Sequence, residues 1–209
     1  FITGVPAAGN TTVLRHLLTQ KPENEGWAVL MNEFGEIGVD QAWIAAHQGI
    51  AVKEVLGGCL CCTSQLPMQI ALARLLSEFK PTRLFIEPTG LGHPKELIDQ
   101  LSESHWQTSL NIRQVVTVID GHRLHQQLWQ KHEIFLQQLD VADLVLVSCQ
   151  SEMNADDQLQ LKQLQDSYQF PPKLWKLLDH GEISLQEIDQ SRIPKQIKKQ
   201  PLLSQQLLT

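Results

Sequence analysis

The sequence predicts an α/β fold, a mostly parallel sheet with helices on both faces. Short apolar runs rich in branched residues alternate with longer segments of helical period, the order expected of strands joined by crossover helices. A glycine-bounded stretch, Gly4 to Gly9, directly follows the first apolar run. The residues least explained by packing sit just after other runs, where a parallel sheet presents ligands beyond the carboxyl ends of its strands.

Taken in order, strands are expected near Phe1 to Thr3, Trp27 to Met31, Ala51 to Val55, Arg83 to Ile86, Val115 to Ile119 and Leu144 to Val147. Helices fit between them, the first from Val13 to Leu18. The clearest runs from about Gln65 to Phe79, where Leu66, Ile70, Ala73, Leu76 and Phe79 recur at spacings of three and four and predict one buried stripe. Pro81 ends it. After Lys173 the pattern weakens to a short apolar segment, Leu174 to Leu178, and a tail containing Gln, Lys and Pro. One domain is expected over residues 1–190, with 191–209 a frayed tail or a linker to an absent C-terminal domain. The chain opens without Met inside the apolar run Phe1-Ile2-Thr3, so preceding residues are expected to be missing.

Composition narrows the function. A formal charge of -6, from 17 basic and 23 acidic residues, supplies no global positive field for nucleic acid or an anionic membrane surface. No apolar run reaches the ~18 residues of a membrane helix, and no export signal opens the chain, so a cytoplasmic protein is expected. Three of the four cysteines, Cys59, Cys61 and Cys62, fall within four positions. Such clustering points to metal or redox chemistry rather than to a disulfide framework.

The segment Gly4-Val5-Pro6-Ala7-Ala8-Gly9-Asn10-Thr11-Thr12 nearly matches G-x-x-x-x-G-K-[ST]. In that pattern backbone N–H groups cradle phosphates, the lysine reaches the terminal phosphates and the hydroxyl holds Mg²⁺. The fold class sharpens accordingly to a P-loop NTPase-like sheet. Glu87-Pro88-Thr89-Gly90-Leu91-Gly92-His93-Pro94 follows a later strand, so that Glu87 could orient Mg²⁺-bound water while the Gly90 N–H approaches a terminal phosphate. Between them, Gly57-Gly58-Cys59-Leu60-Cys61-Cys62 suits Zn²⁺ or another soft cation. Adjacent thiols diverge, so two of the three are expected to bind at once; unligated thiols and a reversible disulfide are the alternatives. Asn32-Glu33-Phe34-Gly35-Glu36-Ile37-Gly38-Val39-Asp40 adds carboxylates that could touch either metal.

These motifs, taken in order with Val115-Val116-Thr117-Val118-Ile119-Asp120, closely resemble the CobW-type family of metal-chaperone GTPases, relatives of the urease and hydrogenase nickel-insertion GTPases. The resemblance covers residues 1–151, with a weaker echo in Asp179-His180-Gly181-Glu182-Ile183. It implies GTP or GDP bound with Mg²⁺, Zn²⁺, Co²⁺ or Ni²⁺ carried on the thiols, and hydrolysis coupled to delivery into a recipient apo-metalloprotein. By the same resemblance, Gly4, Ala8, Gly9, Asn10, Thr11, Thr12 and Gly90 hold phosphates, and Thr11, Glu36 and Glu87 serve Mg²⁺. Glu87 or Glu36 places the water, and Ser148 and Ser151 occupy the base-binding positions.

Two departures damage that machinery. Asn10 replaces the phosphate-loop lysine, and an amide cannot neutralise a triphosphate. A lost charge-assisted bond of ~1.5 to 3 kcal/mol weakens binding by an order of magnitude or two. Ser148-Cys149-Gln150-Ser151 stands where the family carries [NT]-K-x-D, so Ser151 lacks the paired carboxylate oxygens that read guanine. Lys53 or a partner is expected to supply missing charge if the site works. His93 and His180 are the histidines expected near the site, while the spacing of His122, His125 and His132 suits a solvated face as well as a ligand face. The expected function is a GTP-binding metal chaperone with reduced hydrolysis. A metal-binding module that has lost its nucleotide and a thiol redox protein are the alternatives.

Overall fold

In the computed structural model, residues 1–32, 49–55, 66–88, 94–126, 133–168 and 173–192 are described. The sequence-derived candidates Glu33, Glu36, Asp40, Cys59, Cys61, Cys62, Gly90, His93 and His132 lie outside them.

Seven strands alternate with helices. β1 (Ile2–Gly4) leads to α1 (Asn10–Leu18), followed by β2 (Trp27–Asn32), β3 (Ile50–Val55) and α2 (Leu66–Phe79). Then come β4 (Arg83–Glu87), α3 (Pro94–Leu101), β5 (Val116–Asp120), α4 (Glu133–Val141) and β6 (Leu144–Ser148). The helix α5 (Ala155–Ser167), β7 (Leu174–Leu177) and the short α6 (Leu185–Ile188) complete the order. The apolar runs became strands within a residue or two of the expected places, and Leu174 to Leu178 supplied the seventh.

The ladders form two parallel groups, β1-β5-β6-β7 and β3-β2-β4. β4 lies beside β1, and residues Phe1, Ile2, Leu84 and Phe85 line one side of a cavity of about 360 Å³. Alternation along β2 shows how both faces are covered. Trp27 and Val29 pack with Leu14 and Leu17 of α1, whereas Ala28 and Leu30 pack with Met68, Leu72 and Leu75 of α2.

Parallel register brings the functional loops to one rim. Gly4 pairs opposite Val118, Asp120 opposite Ser148, and Val147 opposite Leu177, so the loops leaving β1, β5, β6 and β7 start side by side. Between β1 and β5, the Thr117 hydroxyl donates to the Gln138 carbonyl at 2.9 Å and accepts from the Thr3 hydroxyl at 2.9 Å. This satisfied pair sets the two strands in register beneath the rim.

The predicted stripe of α2 is corrected. Met68, Ala71, Leu72 and Leu75 are buried, while Ile70 is 45% and Phe79 50% exposed. The helix is apolar over more than one stripe, and the demand of the β2 and β4 side chains selected the stripe lying about two residues later.

The loop after β5 is tied to α5 through a buried carboxylate. Asp157 Oδ1 accepts from the His125 backbone N–H at 2.9 Å and Nδ1 at 2.8 Å, while Oδ2 accepts from the Asn154 N–H at 3.1 Å. The Asn154 side chain in turn caps the helix by accepting from the Asp157 N–H at 3.0 Å. His125 is thus half held by a buried acid, not simply solvated. His122 sits in a 3₁₀ turn, and its own N–H donates to the capping Asp120 side chain at 3.0 Å.

Candidate functional site

The first loop is built around two glycines required for different reasons. At Gly4 a Cβ would stand 2.4 Å from the Val118 carbonyl oxygen and 2.3 Å from Asn10 Oδ1, so close approach of β1, β5 and α1 excludes any side chain. Gly9 is the N-cap of α1 at φ 102°, a left-handed conformation that side chains resist. Ala7 also has positive φ, at 64°, and the Ala8 N–H donates to the Val5 carbonyl at 3.2 Å, curling the loop back onto the helix. No side chain caps α1, so its first N–H groups and positive dipole end face the concavity of the loop. Such a turn suits an anion. Gly4→Ala should lose about 3 kcal/mol of stability, measured by denaturant unfolding. An unchanged midpoint would mean that β1 can yield.

Asn10 opens α1 but turns inward. Its Nδ2 donates to the Gly4 carbonyl at 3.2 Å, and its buried Oδ1 has no hydrogen-bond partner. The amide therefore bridges the neck of the loop and presents no positive charge. Thr11 is half-buried and Thr12 exposed in the first helical turn. The Thr11 hydroxyl and the Glu87 carboxylate, half-buried at the end of β4, are hard oxygen donors of the kind that fits Mg²⁺. Ser148 lies under the loop, its hydroxyl 2.8 Å from the Ala8 carbonyl and 3.2 Å from the Ile119 carbonyl. It supports the cradle from below.

The structure does not bring Lys53 to this rim. It is exposed in the middle of β3, the edge strand furthest from β4, opposite Leu30 of β2. Arg123 is nearer. It borders Val5 and Pro6 across a small depression and pairs with Asp120 at 3.2 Å.

The loop after β6 is locked to the loop after β7. Cys149 takes a left-handed conformation at φ 55°, and burial pushes its thiol pKa up. The turn that follows lets the Gln150 N–H donate to the Leu178 carbonyl at 3.2 Å. Next, both the N–H and the hydroxyl of Ser151 donate to Asp179 Oδ1, at 3.0 and 3.1 Å. His180 and Gly181 then take positive φ, 56° and 74°, and Gly181 presses against the first turn of α1. A Cβ at Gly181 would lie 3.0 Å from the Val13 nitrogen and from Thr12 Cγ2. Asp179 stands against Ser151 at this rim, and sequence reasoning did not single it out. Its signal was the echo segment 179–183, whose position beside Ser151 no local pattern could reveal.

Among the described residues, no group of three or more His, Cys, Asp or Glu side chains could hold a metal ion. No helix among them is long and apolar enough to cross a membrane.

Known proteins resemble this chain in sequence and in fold. The zinc chaperone YeiR of Escherichia coli K12 is 44% identical over 147 residues, covering 70% of this chain and 44% of its own length. The zinc chaperone CobW of Pseudomonas aeruginosa is 31% identical over 185 residues, covering 74% and 49%. The chain thus spans about half the length of these curated relatives. Among solved structures, the Zn(II)-bound YjiA GTPase from E. coli matches with a TM-score of 0.59 at 20% identity, covering 90% of this chain and 59% of that one. HypB from Helicobacter pylori in complex with nickel matches with a TM-score of 0.56 at 14% identity, covering 87% and 80%. These two support the fold. The family model for the CobW/HypB/UreG nucleotide-binding domain matches residues 1–172, and the chain belongs to that family.

Proposed function

We propose that this chain is the nucleotide-binding part of a cytoplasmic metal chaperone that binds GTP and carries zinc, with hydrolysis slowed by Asn10. The observation supporting it most directly is the loop from Gly4 to Thr12, curled at the uncapped head of α1 in the form that receives phosphates. Its relatives YeiR and CobW are named zinc chaperones. In this reading Gly4, Ala8, Gly9 and Thr12 surround the phosphates, with Gly90 at the terminal one. Thr11, Glu36 and Glu87 would hold Mg²⁺, which would supply charge to offset that of the triphosphate. Glu87 or Glu36 orients a water whose oxygen attacks the terminal phosphorus, breaking the bond to GDP and releasing phosphate. Cys59, Cys61 and Cys62 hold the cargo ion, Zn²⁺ or alternatively Co²⁺ or Ni²⁺, for a recipient apo-metalloprotein.

The inward turn of the Asn10 amide favours a second reading, a module that binds metal without nucleotide. Calorimetric titration with GTP and Mg²⁺, a phosphate-release assay, and titration with Zn²⁺ on the same preparation separate the two. Saturable GTP binding with slow phosphate release supports the chaperone; stoichiometric Zn²⁺ alone supports the module. Cys61→Ser should weaken Zn²⁺ binding at least about tenfold, since removing one thiolate ligand costs more than a second-shell change does. Equal affinity would remove the thiols from the metal site.

A further inference from the structure

We propose that Asp179 supplies the carboxylate that reads the nucleobase edge, in place of the one absent at position 151. The proposal rests on the nucleotide reading above and names the base that the site selects.

The carboxylate stands where a base reader is needed. Ser151 occupies the position that resembles the guanine-reading aspartate, and both of its donors converge on Asp179 Oδ1 at 3.0 and 3.1 Å. A carboxylate from the next loop has therefore come within hydrogen-bond distance of that position. Its anchoring is rigid. The Leu178 N–H donates to the Val147 carbonyl at 2.8 Å and the Gln150 N–H to the Leu178 carbonyl at 3.2 Å, so the two loops are stitched on either side of the contact. The positive φ values at His180 and Gly181 then turn the chain onto Thr12 and Val13 at the head of α1. The same turn thus holds the carboxylate at one end and touches the phosphate-binding helix at the other. Two consecutive left-handed residues, one of them a histidine, are an uncommon conformation that surrounding structure must enforce.

The chemistry selects the base. Among the described residues Asp179 is hydrogen-bonded by Ser151 at Oδ1, which leaves Oδ2 to accept from a base and Oδ1 to be shared once the serine hydroxyl turns to another acceptor. A base with adjacent N–H donors, the N1–H and N2 amino group of guanine, satisfies a carboxylate at both oxygens. Xanthine presents an oxygen in place of the amino group and meets repulsion. Adenine offers no adjacent pair of donors on that edge. A mismatched edge is rejected because it sets an oxygen lone pair, or no donor at all, against the charged carboxylate.

The test is titration of the purified chain with GDP, XDP and ADP in Mg²⁺. Wild type should bind GDP at least about tenfold more tightly than XDP or ADP. Asp179→Asn, whose amide donates to the xanthine oxygen, should lose at least about tenfold for GDP and reverse the order in favour of XDP. Asp179→Ala, which removes the acceptor without adding a donor, should lose GDP affinity by about as much and gain no preference for XDP. If Asp179→Asn leaves GDP affinity and preference unchanged, or Asp179→Ala favours XDP as strongly as Asp179→Asn does, the assignment is wrong while nucleotide binding stands. If wild type binds none of the three, the nucleotide reading falls with it.

Discussion

Asn10→Lys should raise GTP affinity by about 10- to 100-fold and bring phosphate release up with it. A charge-assisted hydrogen bond contributes ~1.5 to 3 kcal/mol over none, and the lysine also stabilises charge on the transferring phosphoryl group. The native geometry adds a second term of the same sign. Asn10 Oδ1 is a buried acceptor without a partner, and its amide closes the neck of the loop through Gly4. Lysine removes both the orphaned oxygen and the bridge. Calorimetry with GTP and Mg²⁺, beside a thermal melt showing the variant folded, gives the answer. An unchanged affinity in a folded variant would mean that the loop is closed for reasons beyond residue 10.

Asp157→Ala should lose about 2 to 4 kcal/mol of stability at neutral pH. It removes part of the α5 capping box and leaves the His125 and Asn154 N–H groups without their acceptor. The pH dependence has a definite sign. Burial pushes the Asp157 pKa up, but the hydrogen bonds from His125 and Asn154 outweigh it and hold the carboxyl below its usual range. A group depressed in the folded state stabilises above its unfolded pKa, near ~4, and that contribution disappears as pH falls through the folded value. Urea unfolding of wild type and variant should therefore differ most at pH 6 to 8, with the gap narrowing below about pH 4. A gap that widened in acid would contradict the carboxylate's role.

The two lesions of the nucleotide site were legible at once, because each stands inside a local motif with known spacing. Their structural consequences were not. Asn10 could have pointed at a phosphate or at the backbone, and the choice depends on how near Gly4 comes to it across the loop. Ser151 looked like a bare loss until β7 placed Asp179 against it. The suggestion of Lys53 failed because a cation in the middle of an edge strand cannot reach a rim set by the ends of other strands. The stripe of α2 was misplaced by about two residues for a related reason. Periodicity shows that a helix has an apolar face, but with several apolar stripes only the partner surface decides which one is buried.

The amino-acid sequence alone determined the parallel α/β class, the order of the strands and the phosphate-type turn ahead of α1, since these depend on residues adjacent in the chain. Periodicity, branching and glycine placement act over a turn or a strand, and such information is local. The tertiary structure alone decided what the turn touches: the Asn10 amide on Gly4, the Ser148 hydroxyl under Ala8, and the Asp179 carboxylate on Ser151. Those contacts join residues from 6 to 140 positions apart. The two longer ones are set by parallel register, which aligns the ends of strands distant in the chain and which no single segment encodes.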